Sequence, residues 1–253
     1  VLNFEGVITD ELQISPDQKH TPPILDALRE VAEPARLVLG LSNNHTGDFG
    51  EKACRDCVLD LERQGFKTFG MCETPFIDLG EHLRVVTGTQ WSNREKRHLT
   101  WLTNPEQHLR PGAFNLLYPH WGFELELYPR ASQVDTMRQW LERFDAVVGH
   151  HSHNPQPLTV MQAADGLRKM AAYSMGDFCF GMSYKRLHTL KYYVWGAVAR
   201  ITLGPLKSDP SRWAAGQLDW QFIECRYLSR REGFAVGLVD QIPLFDVPSS
   251  TRA

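Results

Sequence analysis

The sequence contains no apolar run approaching the roughly 18 to 20 residues needed to cross a bilayer, so no membrane span is expected in this chain. Its opening stretch, VLNFEGVITDE, lacks the charged start and apolar core of a secretory leader. It also has no excess of positive charge. With 27 Lys and Arg against 30 Asp and Glu, the formal net charge is -3, which gives no support to nucleic acid or an anionic membrane surface as a partner. Repeats and low-complexity tracts are missing too. Cysteine is sparse at five residues, and no second pair or nearby histidine completes a zinc or redox motif with Cys54 and Cys57. Those two share a helical apolar stripe with Val58 and Leu61, so core packing is the favoured reading. This cysteine usage suits the reduced cytoplasm. Because Val1 falls on what reads as a strand already under way, an amino-terminal part is expected to be missing, and with it a signal or anchor for a membrane-anchored or extracytoplasmic protein stays open.

What is present suffices for a folded core. Hydrophobic residues make up 42% and charged residues 23% of the 253, the balance of an ordinary globular protein. One domain over residues 1–253 is expected, with a flexible tail at 248–253. Val1–Ile8 reads as a strand, and Pro22-Pro23 opens a helix with Ile24, Leu25, Leu28 and Val31 on one face. A strand at Arg36–Leu41, a polar turn at Ser42–Gly50, a helix from about Glu51 to Gln64 and a strand at Phe66–Met71 make a βαβ unit. The segment Gly88–Gly112 turns polar and reads as an excursion or lid between strands at Leu83–Val86 and Ala113–Tyr118. A helix at Ser132–Phe144 hands over to a strand at Ala146–Val148, and the remainder is β-rich, with strands at Ala171–Ser174, Tyr192–Leu203 and Leu218–Leu228.

Three histidine-bearing segments, SNNHTGDFG, YPHWG and GHHSHNPQP, each follow a short apolar strand. In α/β sheets the loops beyond the carboxyl ends of strands converge on ligands. A single histidine of this kind is more often a loop residue or a satisfied polar one, whereas three segments placed alike favour a common site containing His45, His120, His151 and His153. In an extended loop His151 and His153 would point the same way. Imidazoles mixed with carboxylate and amide oxygens suit manganese, iron or zinc. Two such ions about 3.5 to 4 Å apart can clamp a phosphoryl group during in-line displacement.

The strings NFEGVIT, LSNNHTGDFGEKACRDCVLDLERQG, HWGFELELYP, FDAVVGHHSHNPQP and YSMGDF occur in an order and spacing that resembles the CapA-type proteins of poly-γ-glutamate capsule biosynthesis, a branch of the calcineurin-like metallophosphoesterases. The resemblance covers about residues 1–181. It implies an α/β fold, a four-layer αββα sandwich with two mixed β-sheets. By the same resemblance one or two divalent ions (Mn, Fe or Zn) would be held by Glu5, Asn44, His120, His151 and His153, with Glu5 bridging. His45 would act as the acid on the leaving group with Asp48 orienting it, although Asp48 could equally cap the following helix. His150 and Glu124 would contact substrate. Ser152 and Asp177 stand where the family usually has Pro and Asn, and its upstream Gly-Asp motif would precede Val1. The activity implied is a metal-dependent, phosphoesterase-like hydrolase. Alternatives are a non-catalytic component that binds polymer or partner proteins in capsule assembly, and a metal-dependent amide hydrolase acting on a γ-glutamyl polymer.

Overall fold

The structure, a computed structural model, describes residues 1–12, 14, 17–94, 97–179, 194–229 and 233–239. In chain order its elements are β1 (Leu2–Asn3), β2 (Val7–Ile8), β3 (Lys19–His20), α1 (Ile24–Val31), β4 (Val38–Gly40), α2 (Gly50–Arg63), β5 (Lys67–Phe69), β6 (Phe76–Asp78), β7 (Leu83–Thr89) and β8 (Phe114–His120). There follow α3 (Ala131–Leu141), β9 (Ala146–Val148), β10 (Leu158–Gln162), β11 (Arg168–Ala172), β12 (Trp195–Pro205), β13 (Trp213–Ser229) and β14 (Gly233–Leu238). The expected tail at 248–253 lies outside the described residues, as do the first two residues of the strand expected at 192–203.

Four layers result, because successive side chains on a strand face opposite sides. On β8, Phe114, Leu116 and Tyr118 join one apolar cluster while Leu117 joins another. The first of these clusters is the central layer of packing, where Val38 of β4 and Phe69 of β5 meet Val85, Ala146 and Met170 of the opposite sheet. The mixed six-stranded sheet has the order β10-β11-β9-β8-β7-β6. The facing layer is shared by a parallel β1-β4-β5 sheet and an antiparallel β12-β13-β14 sheet, from which Ile201, Leu203, Trp213 and Leu218 pack on the same central cluster.

Helices cover both outer faces. α2 lays Ala53, Cys54, Cys57 and Leu61 against Leu39 and Leu41, with Leu28 of α1 beside them. It ends at Gly65, whose φ of 89° closes the last turn in a conformation that favours glycine. Burial pushes the Cys54 thiol up to about 12 and the Cys57 thiol up to about 11, so this pair is packed, protonated and inert. On the far side α3 buries Met137 and Leu141 against Leu117 and Val147, with Phe144 just beyond its end. Each such side chain contributes about 1.5–3 kcal/mol of burial.

Two expected elements differ. The strand expected over residues 1–8 is split, because Gly6 turns at φ 99° with Gln18 packed so closely that a Cβ would lie 2.8 Å from its carbonyl oxygen. Its first piece pairs with β4, and its second pairs with β3. The polar segment after β7 is only in part an excursion. Its Leu99 is buried and bridges to Met71, Trp101 bridges to Thr89, and the Thr100 hydroxyl donates to the Met71 carbonyl. Apolar anchors spaced within a charged string carry no helical or strand period, so the pattern alone does not reveal them.

Candidate metal centre

The proposed site residues lie at or beyond the carboxyl ends of parallel strands. Asn3 ends β1 and Glu5 follows it, while Asn43, Asn44 and His45 follow β4. His120 is the last residue of β8, His150 to His153 follow β9, and Asp177 follows β11. The two sheets thus deliver donors from opposite sides of the central packing layer, the arrangement by which open α/β sheets build sites from several loops.

Asn43 fastens the first half. Its side-chain oxygen accepts from the His45 and Thr46 amides at 3.1 and 3.0 Å, and its amide nitrogen donates to the Phe4 carbonyl at 2.9 Å and to Asn3 Oδ1 at 3.1 Å. One buried amide therefore sets the β4 turn and ties it to β1. Glu5 is held by the Asn3 amide at 2.9 Å through Oε2, while its buried Oε1 has no hydrogen-bond partner. Burial pushes the Glu5 carboxyl up, the charge of His153 pulls it down, and Asp177 pushes it up again.

His120 is wholly buried and links the halves. Its Nε2 lies 2.8 Å from Asn44 Oδ1, and its Nδ1 shares a hydrogen bond with His150 Nδ1 at 2.7 Å. The His151 ring centroid lies 4.4 Å from that of His120 and 6.4 Å from that of His153. Burial, reinforced by neighbouring histidines, pushes His150 and His151 down to about 3 and His120 well below its ordinary value, so these rings are neutral and able to donate a lone pair. His153 differs. Burial alone would lower it, but the Asp177 hydrogen bond at 3.0 Å and the charges of Asp177, Glu5 and Glu124 push it up to about 9.

Two sequence expectations are revised by this geometry. The residues around His153 are not extended, since His151 has φ 115° and His153 φ 62°. Such backbone is costly for a non-glycine residue and collects at functional loops. The two rings are brought together by these turns rather than by strand alternation. His150 does not open onto a substrate space. It is buried behind His120, its Nδ1 2.7 Å from His120 Nδ1 and its ring 4.5 Å from that of Tyr118. Glu124, by contrast, is exposed and accepts from the Asn44 amide at 3.4 Å, at the rim of the cluster.

Asp48 is resolved between its two readings. No side chain caps α2; instead Asp48 Oδ2 accepts from His45 Nδ1 at 2.6 Å and from the Gln18 amide at 2.8 Å. A carboxylate takes the ring proton in preference to a neutral amide. His45 Nε2 is the nitrogen left to act. Asn93, from the segment after β7, places its amide 3.2 Å from His45 Nδ1 and donates its backbone N–H to the Asn44 carbonyl. Nothing in the sequence near Asn93 signals this, because its contacts are made 48 and 49 positions away.

The donors suit a divalent transition ion in kind: neutral imidazoles, an amide oxygen and a carboxylate, with Glu5 Oε1 and His151 Nδ1 both buried and unpartnered. The 2.8 Å between His120 Nε2 and Asn44 Oδ1 is close to the spacing of about 3 Å between neighbouring ligands on one ion with bonds of roughly 2.1 Å. Among the described residues, no three His, Cys, Asp or Glu side chains by themselves close around a single point as a ligand set. Nor is any helix among them long and apolar enough to cross a membrane.

The chain is similar to several known proteins. Residues 87–182 match the family model described as "Bacterial capsule synthesis protein PGA_cap". A probable polyglutamine synthesis accessory protein of Mycobacterium tuberculosis is 26% identical over 187 residues, covering 61% of this chain and 46% of the relative. The capsule biosynthesis protein CapA of Bacillus anthracis is 22% identical over 195 residues, covering 64% and 44%. The chain thus spans about half the length of the curated relatives it matches. Among solved structures, the calcineurin-like phosphoesterase YfkN of Bacillus subtilis aligns with a TM-score of 0.45 at 13% identity, over 80% of this chain and 67% of that one. A hypothetical protein of Thermus thermophilus aligns with a TM-score of 0.42 at 14% identity, over 84% and 79%.

Proposed function

From the homology of this chain to the bacterial capsule synthesis proteins of the CapA type, we propose that it is a metal-dependent hydrolase with phosphoesterase-like chemistry. The observation that carries the reading is the meeting of Asn44, His120 and His151 from both sheets, with Glu5 in the field of His153 and Asp177, with Glu5 Oε1 and His151 Nδ1 buried and unpartnered, and beside a carboxylate-held histidine. Glu5, Asn44, His120, His151 and His153 hold one or two ions of manganese, iron or zinc. When bound, such an ion supplies Lewis acidity toward a phosphoryl oxygen and lowers the pKa of water.

The protein's own groups do the rest. Asp48 takes the Nδ1–H of the His45 ring, which leaves Nε2 as the nitrogen facing the departing oxygen; when Nε2 is also protonated, it gives that oxygen its proton. Asp177 accepts from His153 Nδ1, and with His150 Nδ1 accepting from His120 Nδ1 in the same way each ring keeps the Nε2 lone pair for the cluster. The His153 ring is protonated at neutral pH in the absence of a cation, so cation binding there releases a proton and tightens as pH rises. The Trp91 ring centroid stands 6.4 Å from that of His151 and 5.6 Å from that of Phe123, so aromatic rings flank the cluster on this side.

Elemental analysis together with hydrolysis of p-nitrophenyl phosphate mono- and diesters tests the proposal. The wild-type protein is expected to carry a transition metal and to turn over one of the esters. His151→Ala loses metal, and His45→Ala keeps it while turnover falls by roughly 10² to 10⁴, the range for loss of a general acid. Equal metal loss in the two variants would remove the division of roles. A metal-bearing wild type that is inert toward esters but cleaves a γ-glutamyl polymer would move the reaction to amide bonds.

A further inference from the structure

The polar segment after β7 carries an ion pair that the reaction outlined above does not use. Arg94 grips Asp17 through two nitrogens, Nε to Oδ1 at 3.0 Å and Nη2 to Oδ1 and Oδ2 at 2.9 and 3.0 Å. Asp17 is almost fully buried, and Arg94 is half exposed. The partners lie 77 residues apart, one beside β3 and the other beside Trp91. The neighbour of Asp17, Gln18, donates its backbone N–H to Asp48 Oδ2 at 2.8 Å. Asp48 holds His45, and the neighbour of Arg94, Asn93, contacts His45 Nδ1 from the other side while its backbone donates to Asn44.

These contacts close a ring: Arg94, Asp17, Gln18, Asp48, His45, Asn93 and back to Arg94. We infer that Arg94, by its two-point grip on Asp17, is a positioning residue for His45, clamping the carboxylate behind the ring and the amide beside it into one frame. The inference rests on the proposed role of His45 as the leaving-group acid. A planar guanidinium suits this task, because a fork fixes orientation as well as distance where an ammonium fixes distance alone. The surrounding geometry argues for positioning over bulk stability. The guanidinium is half exposed, whereas the sequence neighbour of Arg94 and that of its ion-pair partner both end on the His45–Asp48 pair.

The test reads the His45 ring directly by long-range 1H–15N correlation on histidine-labelled protein, with His45→Gln supplying the assignment. Wild type is expected to show His45 as the Nδ1–H tautomer. In Arg94→Ala and Asp17→Asn the Nε2–H tautomer gains population, and kcat falls by roughly 10- to 100-fold, the cost of small misplacement. KM and metal content stay within about twofold. Arg94→Lys gives an intermediate spectrum, and the exchanged pair Arg94→Asp with Asp17→Arg recovers the wild-type one. An unchanged His45 spectrum in Arg94→Ala and Asp17→Asn would overturn the inference whether or not the protein is active. Failure of Arg94→Ala and Arg94→Lys alike to fold would overturn it also, by making the pair structural. Absent wild-type turnover with the expected tautomer shifts would instead bring down the hydrolase reading and leave the clamp standing.

Discussion

Burial pushes His150 and His151 down to about 3, while Asp177 and its neighbouring carboxylates push His153 up to about 9 against burial. The two directions act on stability at opposite ends of the pH scale. An unfolded histidine titrates near 6.5, so between about 6.5 and 3 the unfolded chain binds protons that folded His150 and His151 refuse, and stability falls with falling pH. The His153 pairing is fully present below about 6.5 and is lost as pH climbs toward 9. With chelator present, the urea midpoint is therefore expected to peak near neutrality. His151→Gln should flatten the acid limb and His153→Gln the alkaline limb; limbs of unchanged slope would show that these rings do not set the profile. At this scale the sequence discloses what is local. His45 and Asp48, three residues apart, are readable as a pair, and the mixed imidazole and oxygen donor type is readable from composition of the loops. Asn43, Asn93 and Asp17 are silent, because each acts through partners brought close only by the folded chain. His150 is visible as a residue but not as a support behind His120, since adjacent positions in a loop give no account of which ring faces the cluster.

Elements with a strong period were legible, and those without one were not. α1 and α2 occur within a residue or two of the expected bounds, because their apolar stripes repeat every three to four positions and glycine or proline marks their ends. α3 ends at Leu141 rather than running to Phe144, since Arg143 and Phe144 fold back on the Trp140 carbonyl. The short edge strands β6 and β10 and the final β14 are not expected from the sequence, as three to six residues of mixed character carry little signal. The turn between β9 and the histidine loop shows how tightly an element must be cut to serve the site. A Cβ on Gly149 would fall 2.3 Å from the Tyr173 carbonyl oxygen and 2.4 Å from the Trp121 ring nitrogen, whereas one on Gly204 in β12 would meet nothing within 4 Å. Gly149→Ala is expected to cost about 1–3 kcal/mol and to weaken metal retention, because relief of the clash moves His150 and His151. Gly204→Ala should be nearly silent. Denaturant titration of both variants checks this, and equal costs would mean that close packing at Gly149 is not what fixes the turn.

Across the whole molecule the donors are divided between two independently hydrogen-bonded sheets: Glu5 and Asn44 beyond the β1-β4-β5 sheet, and His120, His151, His153 and Asp177 beyond the six-stranded sheet. The sheets meet through the side chains of the central cluster, a contact that resists separation better than it resists sliding, because apolar packing is non-directional. A cation coordinated from both sides would behave as a rivet through that joint, fixing the offset of one sheet against the other. Riveting has a thermodynamic signature separate from any reaction, since a ligand that binds only the folded form adds RT ln(1 + [L]/Kd), about 2.7 kcal/mol at a hundredfold excess over Kd. For a chain of this size each kcal/mol moves the melting temperature by about 2–4 °C, so manganese or zinc is expected to raise it by roughly 5–10 °C and chelation to return it. Glu5→Gln and His151→Gln, one from each side, should each abolish most of that rise. Hydrogen exchange would then locate the gain along the seam, in β4 and β8 together, and slow both by the same factor, as befits two plates that can no longer shear.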